Sequence, residues 1–285
     1  MISIVALITP MTADASALDF VALDALIEWH IASGTDALLI LGTTGESPTL
    51  SSSERAALIQ HTVRHVRGRV PVIIGTGSND TKTAILQTQE AKDLGADYAL
   101  IVTPYYNKPT QEGLYQHYKT IHDAVDLPQI LYNVPGRTAC DLLPETGIRL
   151  CALPRIVGIK EASGHVERVT YYRANASADL QLWTGCDENT DEFMRLGGNG
   201  TISVTANIVP DKIHQLVSLG LAGKHREATV MQHGLMPLHD AMFCQTNPIP
   251  VKWALAYLGK IQLGIRLPLT VLSPDKQAMV ISALP

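Results

Sequence analysis

Eight short apolar runs alternating with helix-length amphipathic stretches predict an α/β chain, a (β/α)8 TIM barrel with a C-terminal helical extension. Three observations carry that expectation. The runs are continuously apolar rather than alternating, as strands buried on both faces of a parallel sheet must be. The length of 285 residues modestly exceeds the roughly 250 that such a barrel uses. No phosphate fingerprint follows the first run. Gly75-Thr76-Gly77 has Asp80 where a third glycine would stand, so it reads as a strand-to-loop turn and not as the start of a doubly wound dinucleotide fold.

The first strand is expected at Ile4–Ile8, closed by Thr9-Pro10, with no basic region ahead of it and too few apolar residues to cross a bilayer. A helix over Leu18–Ile31 stops at Gly34, and the second strand is Ala37–Leu41. The next helix, Ser53–Val66, takes Ser52 or Ser53 as its cap with Glu54 in the first turn. Val70–Ile74 is the third strand, Lys82–Leu94 the helix that Gly95 ends, and Tyr98–Val102 the fourth strand, followed by a helix over Gly113–Val125. The remaining strands are Gln129–Tyr132, Ile156–Lys160, Leu180–Thr184 and Thr201–Val204. Gly197-Gly198-Asn199-Gly200 precedes the last of these, so it reads as a helix stop and not as a phosphate cradle. The barrel is assigned to residues 1–223. Residues 224–285, with helical patterns at Ala254–Leu258 and Gln277–Leu284, form an extension packed on it.

Composition narrows the partners. The chain is 46% hydrophobic and 17% charged with a net charge of -5. Its lysines and arginines are scattered, which argues against nucleic acid and membrane surfaces and leaves small molecules. Cys140, Cys151, Cys186 and Cys244 show no paired spacing, so neither a disulfide framework nor a zinc ribbon is expected. The expected setting is cytoplasmic.

In a barrel of this kind the residues at the C-terminal ends of the strands face the active site. Lys160 ends an apolar strand there, where burial favours the neutral amine that attacks a carbonyl to form a Schiff base. Tyr132, on the neighbouring strand, is placed to pass protons. With an unperturbed pKa of roughly 10 it needs a relay, for which Thr43 and Tyr106 offer hydroxyls. Thr43 and Thr44 read equally as helix caps, and Tyr132 as a core tyrosine. The Gly42-Thr43-Thr44-Gly45 turn suits a carboxylate, and Arg137 offers a fork for a second one or a loop ion pair. His61 and His65 have the spacing of a metal pair but no third ligand in view, so no metal is expected. His117 and His122 read as solvated residues on a polar helix face.

The segments Gly42–Ser47, Pro104–Pro109, Tyr132–Thr138, Gly158–Ser163 and Asn247–Lys252 resemble, in order and over essentially the whole chain, the dihydrodipicolinate synthase family. The resemblance implies a lyase that condenses pyruvate with L-aspartate 4-semialdehyde on the route to diaminopimelate and lysine, without a cofactor, because the pyruvate imine is its own electron sink. It implies that Lys160 is the Schiff-base lysine, Tyr132 its proton donor and acceptor, and Thr43 the middle of the relay. Tyr106 resembles a tyrosine that enters from the adjacent subunit of a homotetramer built as a dimer of dimers. Thr44 resembles the residue holding the pyruvate carboxylate and Arg137 the one holding the semialdehyde carboxylate, while Gly185 and Ile202 match positions whose backbone lines the site.

Ser47, Asn79 and Tyr105 match a cleft in which lysine-inhibited relatives bind their effector. Thr83 stands where those relatives carry a glutamate, and Ser52 and Arg55 where they commonly carry histidines, so weak or absent inhibition by L-lysine is expected. Related sugar-acid aldolases share the lysine, the tyrosine and the threonine turn but generally lack the arginine of Pro135-Gly136-Arg137-Thr138. A 2-keto-3-deoxy sugar-acid aldolase is therefore the alternative enzyme, and a non-catalytic ligand-binding barrel the alternative outside catalysis.

Overall fold

The computed structural model describes residues 1–285. Eight parallel strands close on themselves in chain order: β1 (Ser3–Ala6), β2 (Ala37–Ile40), β3 (Val72–Gly75), β4 (Tyr98–Val102), β5 (Gln129–Asn133), β6 (Ile156–Glu161), β7 (Gln181–Thr184) and β8 (Gly200–Ser203). Around them run α1 (Phe20–Ala32), α2 (Ser52–Val66), α3 (Thr81–Asp93), α4 (Gln111–Ala124), the single turn α5 (Pro135–Thr138), α6 (Pro144–Cys151), α7 (Arg168–Asn175), α8 (Thr190–Arg195) and α9 (Pro210–Leu221). After the eighth unit come α10 (His225–Met242), α11 (Ile249–Tyr257) and α12 (Pro274–Ala283), with α10 packed on α8, α9 and α12. The expected TIM barrel is the observed one, with strand ends moved by one or two residues.

Alternation along each strand divides the core in two. Ile4, Ala6, Leu39, Ile130, Tyr132, Trp183 and Ile202 belong to a cluster of 11 buried residues inside the barrel. Val5, Leu38, Ile40, Leu131 and Ile159 turn outward into a cluster of 55 between strands and helices. Ile159 being an outward residue, Lys160 points in. The ladder pairs it with Tyr132 on one side and Trp183 on the other, so all three share the interior face.

Two local expectations are corrected. The cap of α2 is Ser51, one residue before the expected pair. Its hydroxyl accepts from the Glu54 amide and the Glu54 carboxylate accepts from the Ser51 amide, a reciprocal box that satisfies two end donors at once. His117 and His122 are buried rather than solvated. The face of α4 that carries them turns inward, where His117 Nδ1 meets the Thr81 hydroxyl at 2.9 Å and His122 Nδ1 meets Asp123 at 2.8 Å. Burial lowers the His117 pKa to about 4. Gly34 and Gly95, at φ +85° and +90°, do close α1 and α3.

Candidate active site

The C-terminal mouth of the barrel holds a cavity of about 430 Å³. Lys160 is at its base, on β6, with its amine 4.4 Å from the centroid of the Tyr132 ring. Burial pulls the Lys160 pKa down to about 8, helped by the Arg137 charge and opposed by Asp187 and Cys186. Burial also pushes Tyr132 up to about 12, against which the Arg137 charge and the Thr43 hydroxyl act in the other direction. Both groups are thereby held closer to their neutral forms than in water.

The strand end beneath the amine is braced from outside the barrel. Glu161 turns outward, where it accepts from the Ser163 amide at 2.8 Å and from the Asn133 side chain at 3.2 Å. Asn133 also reaches Asp141, which Arg168 holds with two bonds of 2.8 and 2.7 Å. Gly185 gives the lysine its room, since a Cβ there would lie 2.7 Å from Lys160 Cε and 2.8 Å from the Ala162 Cβ.

Across the cavity, the turn after β2 is held by buried contacts. Glu46 adopts a left-handed φ of 54° and forms a buried ion pair with Lys252 of α11, and its other oxygen accepts from the Arg266 amide at 3.1 Å. Thr43 and Thr44 both line the cavity, and Ser51 leaves neither as the cap of α2. Thr44 Oγ1 accepts from Asn247 Nδ2 at 2.9 Å, which leaves its own proton for a ligand. The Asn247 carbonyl accepts from Arg137 Nη2 at 3.3 Å. One residue therefore ties together the two groups expected to hold carboxylates.

The cavity thus gathers Lys160, Tyr132, Thr43, Thr44, Arg137 and Gly185 from the expected set. Ile202 sits in the interior layer below, and Val204, two residues on, reaches the wall in its place. Tyr106 is 86% exposed on the loop after β4, outside the cavity of its own chain. Sequence reasoning left Asn247, Cys186, Glu188, His239, Asp240 and Phe243 without roles, although all six line the wall. Cys186 follows Gly185, which the family resemblance alone had named. Nothing local marks His239, Asp240 or Phe243, which follow the eighth unit and arrive through the packing of α10.

The chain matches the model of the dihydrodipicolinate synthetase family over residues 2–285. It belongs to that family. A relative from Methylibium petroleiphilum, named 4-hydroxy-tetrahydrodipicolinate synthase, is 50% identical over 282 residues, covering 99% of this chain and 96% of its own. One of the same name from Alcanivorax borkumensis is 53% identical over 275 residues, covering 96% and 93%. Among solved structures, the chloride-inhibited dihydrodipicolinate synthase from Acinetobacter baumannii, complexed with pyruvate, aligns with a TM-score of 0.96 at 48% identity over 99% of this chain and 96% of that one. A Cyanidioschyzon merolae relative with lysine bound aligns with a TM-score of 0.96 at 38% identity over 99% and 96%. No helix is long and apolar enough to cross a membrane.

Proposed function

We propose that the chain is a Schiff-base lyase that condenses pyruvate with L-aspartate 4-semialdehyde to 4-hydroxy-tetrahydrodipicolinate, in the diaminopimelate route to lysine. The observation that carries this reading is the buried Lys160 amine at the base of the cavity, with its pKa drawn to about 8 and Tyr132 against it. A neutral amine adds to the pyruvate carbonyl carbon, and the carbinolamine loses water to form an imine. Loss of a C3 proton then gives an enamine, whose C3 attacks the aldehyde carbon of the second substrate and makes the new carbon–carbon bond. Attack of that substrate's amino group on the imine carbon closes the ring and returns the Lys160 amine.

Each proton in this sequence needs a carrier within reach of the amine. Tyr132 is the carrier adjacent to the amine, and Thr43 is the next hydroxyl along. Thr44, with its proton left free by Asn247, suits the pyruvate carboxylate. Arg137, on the turn past β5, suits the semialdehyde carboxylate and favours this substrate over a sugar-acid aldehyde. Gly185 and Val204 complete the wall, with Ile202 in the layer beneath.

The exposure of Tyr106, at a left-handed φ of 75°, supports a role in a neighbouring subunit's relay. The assembly that follows is the family's homotetramer, built on a dimer that exchanges this loop, and its setting is the cytoplasm. Ser47, Asn79 and Tyr105 match the effector cleft of lysine-inhibited relatives, and we infer that L-lysine binds weakly there. Arg55 occupies the Ser47 hydroxyl at 2.5 Å and brings a cation to the place where a cationic ligand would sit. A coupled assay offering L-aspartate 4-semialdehyde and a hydroxylated sugar aldehyde in parallel tests the substrate. Turnover confined to the semialdehyde is expected, and preference for the sugar aldehyde would overturn the reading.

A further inference from the structure

On the helical shell, away from the cavity, α1 and α2 bring four side chains together. Asp24 and Glu28 lie one turn apart on α1, and His61 and His65 one turn apart on α2, so each pair shares a face. His61 Nε2 is 2.6 Å and His65 Nδ1 3.1 Å from the same oxygen, Asp24 Oδ1. The two imidazoles are parallel to within 8° with centroids 6.2 Å apart, and the Phe20 ring holds His61 in place at 4.5 Å. Sequence spacing gave the histidine pair without a third ligand, and the packing of α1 on α2 supplies one.

A second observation concerns the far side of His65. Its Nε2 faces Glu28 Oε1 at 2.7 Å, and Arg69 grips both Glu28 oxygens at 2.7 and 2.6 Å, which keeps that carboxylate ionised and fixed. Glu28 therefore takes the Nε2 proton of His65. In the neutral imidazole this leaves Nδ1 as a bare lone pair, aimed at a carboxylate oxygen that is also an acceptor. Acceptors that converge in this way need a shared proton or a metal cation between them. The pairing of a ring N–H with a fixed carboxylate is also the outer-shell arrangement that orients histidines on metals.

We propose that Asp24, His61 and His65 bind one divalent transition ion of the Zn²⁺ type, with water in the fourth position. Two nitrogens and a carboxylate oxygen suit such an ion better than Mg²⁺ or Ca²⁺. On a tetrahedral ion with bonds of about 2.1 Å, ligand atoms stand roughly 3.3 Å apart. The His65–Asp24 separation is already close to that, and the His61–Asp24 separation has to open by less than about 1 Å as the ion replaces a shared proton. All three side chains are partly exposed, so the ion has an entry path and the side chains room to adjust.

The test titrates the full chain, stripped with EDTA and dialysed, with Zn²⁺ by calorimetry and with Co²⁺ as an absorbance probe. One equivalent per chain is expected, with the visible bands of tetrahedral Co²⁺ displaced by Zn²⁺ and a thermal midpoint raised by Zn²⁺. Asp24→Asn and His61→Ala should weaken binding at least tenfold, and Glu28→Gln, acting through the His65 tautomer, roughly tenfold to hundredfold. His233→Ala, on an exposed part of α10, should change nothing. Failure to bind an equivalent of Zn²⁺ would overturn the proposal, as would an equivalent whose affinity the α1 and α2 variants leave unchanged. Variants that lower the thermal midpoint with no Zn²⁺ dependence in the parent would reduce the cluster to ion pairs and also overturn it.

Discussion

The Lys160 amine lies 4.4 Å above the face of the Tyr132 ring, and the β5–β6 ladder pairs these two residues directly. A nucleophile and its proton carrier are thus fixed by strand register, which is stiffer than any loop. A slip of one residue on either strand would turn one of them out of the barrel.

The burial that prepares Lys160 for chemistry costs stability. Its pKa is about 8 in the folded chain against 10.5 free, so between those values the unfolded chain holds a proton that the folded chain has released. Stability therefore rises with pH across that window, and below about pH 8 the whole penalty is present, near 3 kcal/mol. Lys160→Met should be more stable than the parent by about that amount at pH 7, with the gap closing as the pH climbs from 8 toward 10.5. Urea midpoints at several pH values measure it. In the parent, kcat/KM should rise toward pH 8 as the amine deprotonates.

Arg137→Ala should raise KM for the semialdehyde about tenfold or more, since a charge-assisted contact is worth roughly 1.5–3 kcal/mol. Pyruvate imine formation should be largely intact. Steady-state kinetics with each substrate varied, alongside imine trapping, separate the two effects. Loss of the imine would mean that Arg137 and its Asn247 contact order the whole pocket.

Tyr106 should act across a subunit boundary. Mixed dimers carrying Tyr106→Phe in one subunit and Lys160→Ala in the other are expected to recover activity that neither homodimer has. Heterodimers verified by native mass spectrometry yet inactive would remove Tyr106 from its neighbour's relay.

L-lysine should inhibit weakly or not at all. Thr83, which stands where lysine-inhibited relatives carry a glutamate, is half-buried, and its hydroxyl donates to Asp80 at 2.5 Å as part of the α3 cap. The same Asp80 oxygen accepts from the Thr83 amide, so the Thr83 hydroxyl is spent on the helix cap and offers a cationic ligand no carboxylate of its own. Half-inhibition at submillimolar lysine in a steady-state assay would contradict this. Thr83→Glu with Arg55→His should introduce sensitivity.

Most of this was legible in the sequence because strand-end residues are dictated by a short-range rule. Lys160, Tyr132, Thr43 and Thr44 each stand at or just past the end of an apolar run, which places them at the barrel mouth, while the face each takes came from the packing of its strand. What stayed hidden depends on contacts distant in sequence. Asn247 meets Thr44 across 203 positions and Asp24 meets His61 across 37, and no local pattern encodes either pairing. His117 and His122 were misread for a related reason. Their helix has a polar composition, but the neighbours that cover it belong to other units of the barrel.

Borohydride reduction in the presence of pyruvate, followed by peptide mapping, puts the role of Lys160 to the test. A reduced pyruvyl adduct is expected on the peptide carrying Lys160 and on no other, absent from Lys160→Ala, which should also have lost turnover. An adduct on a different lysine, or turnover retained by Lys160→Ala with no adduct anywhere, would contradict Schiff-base catalysis at this residue.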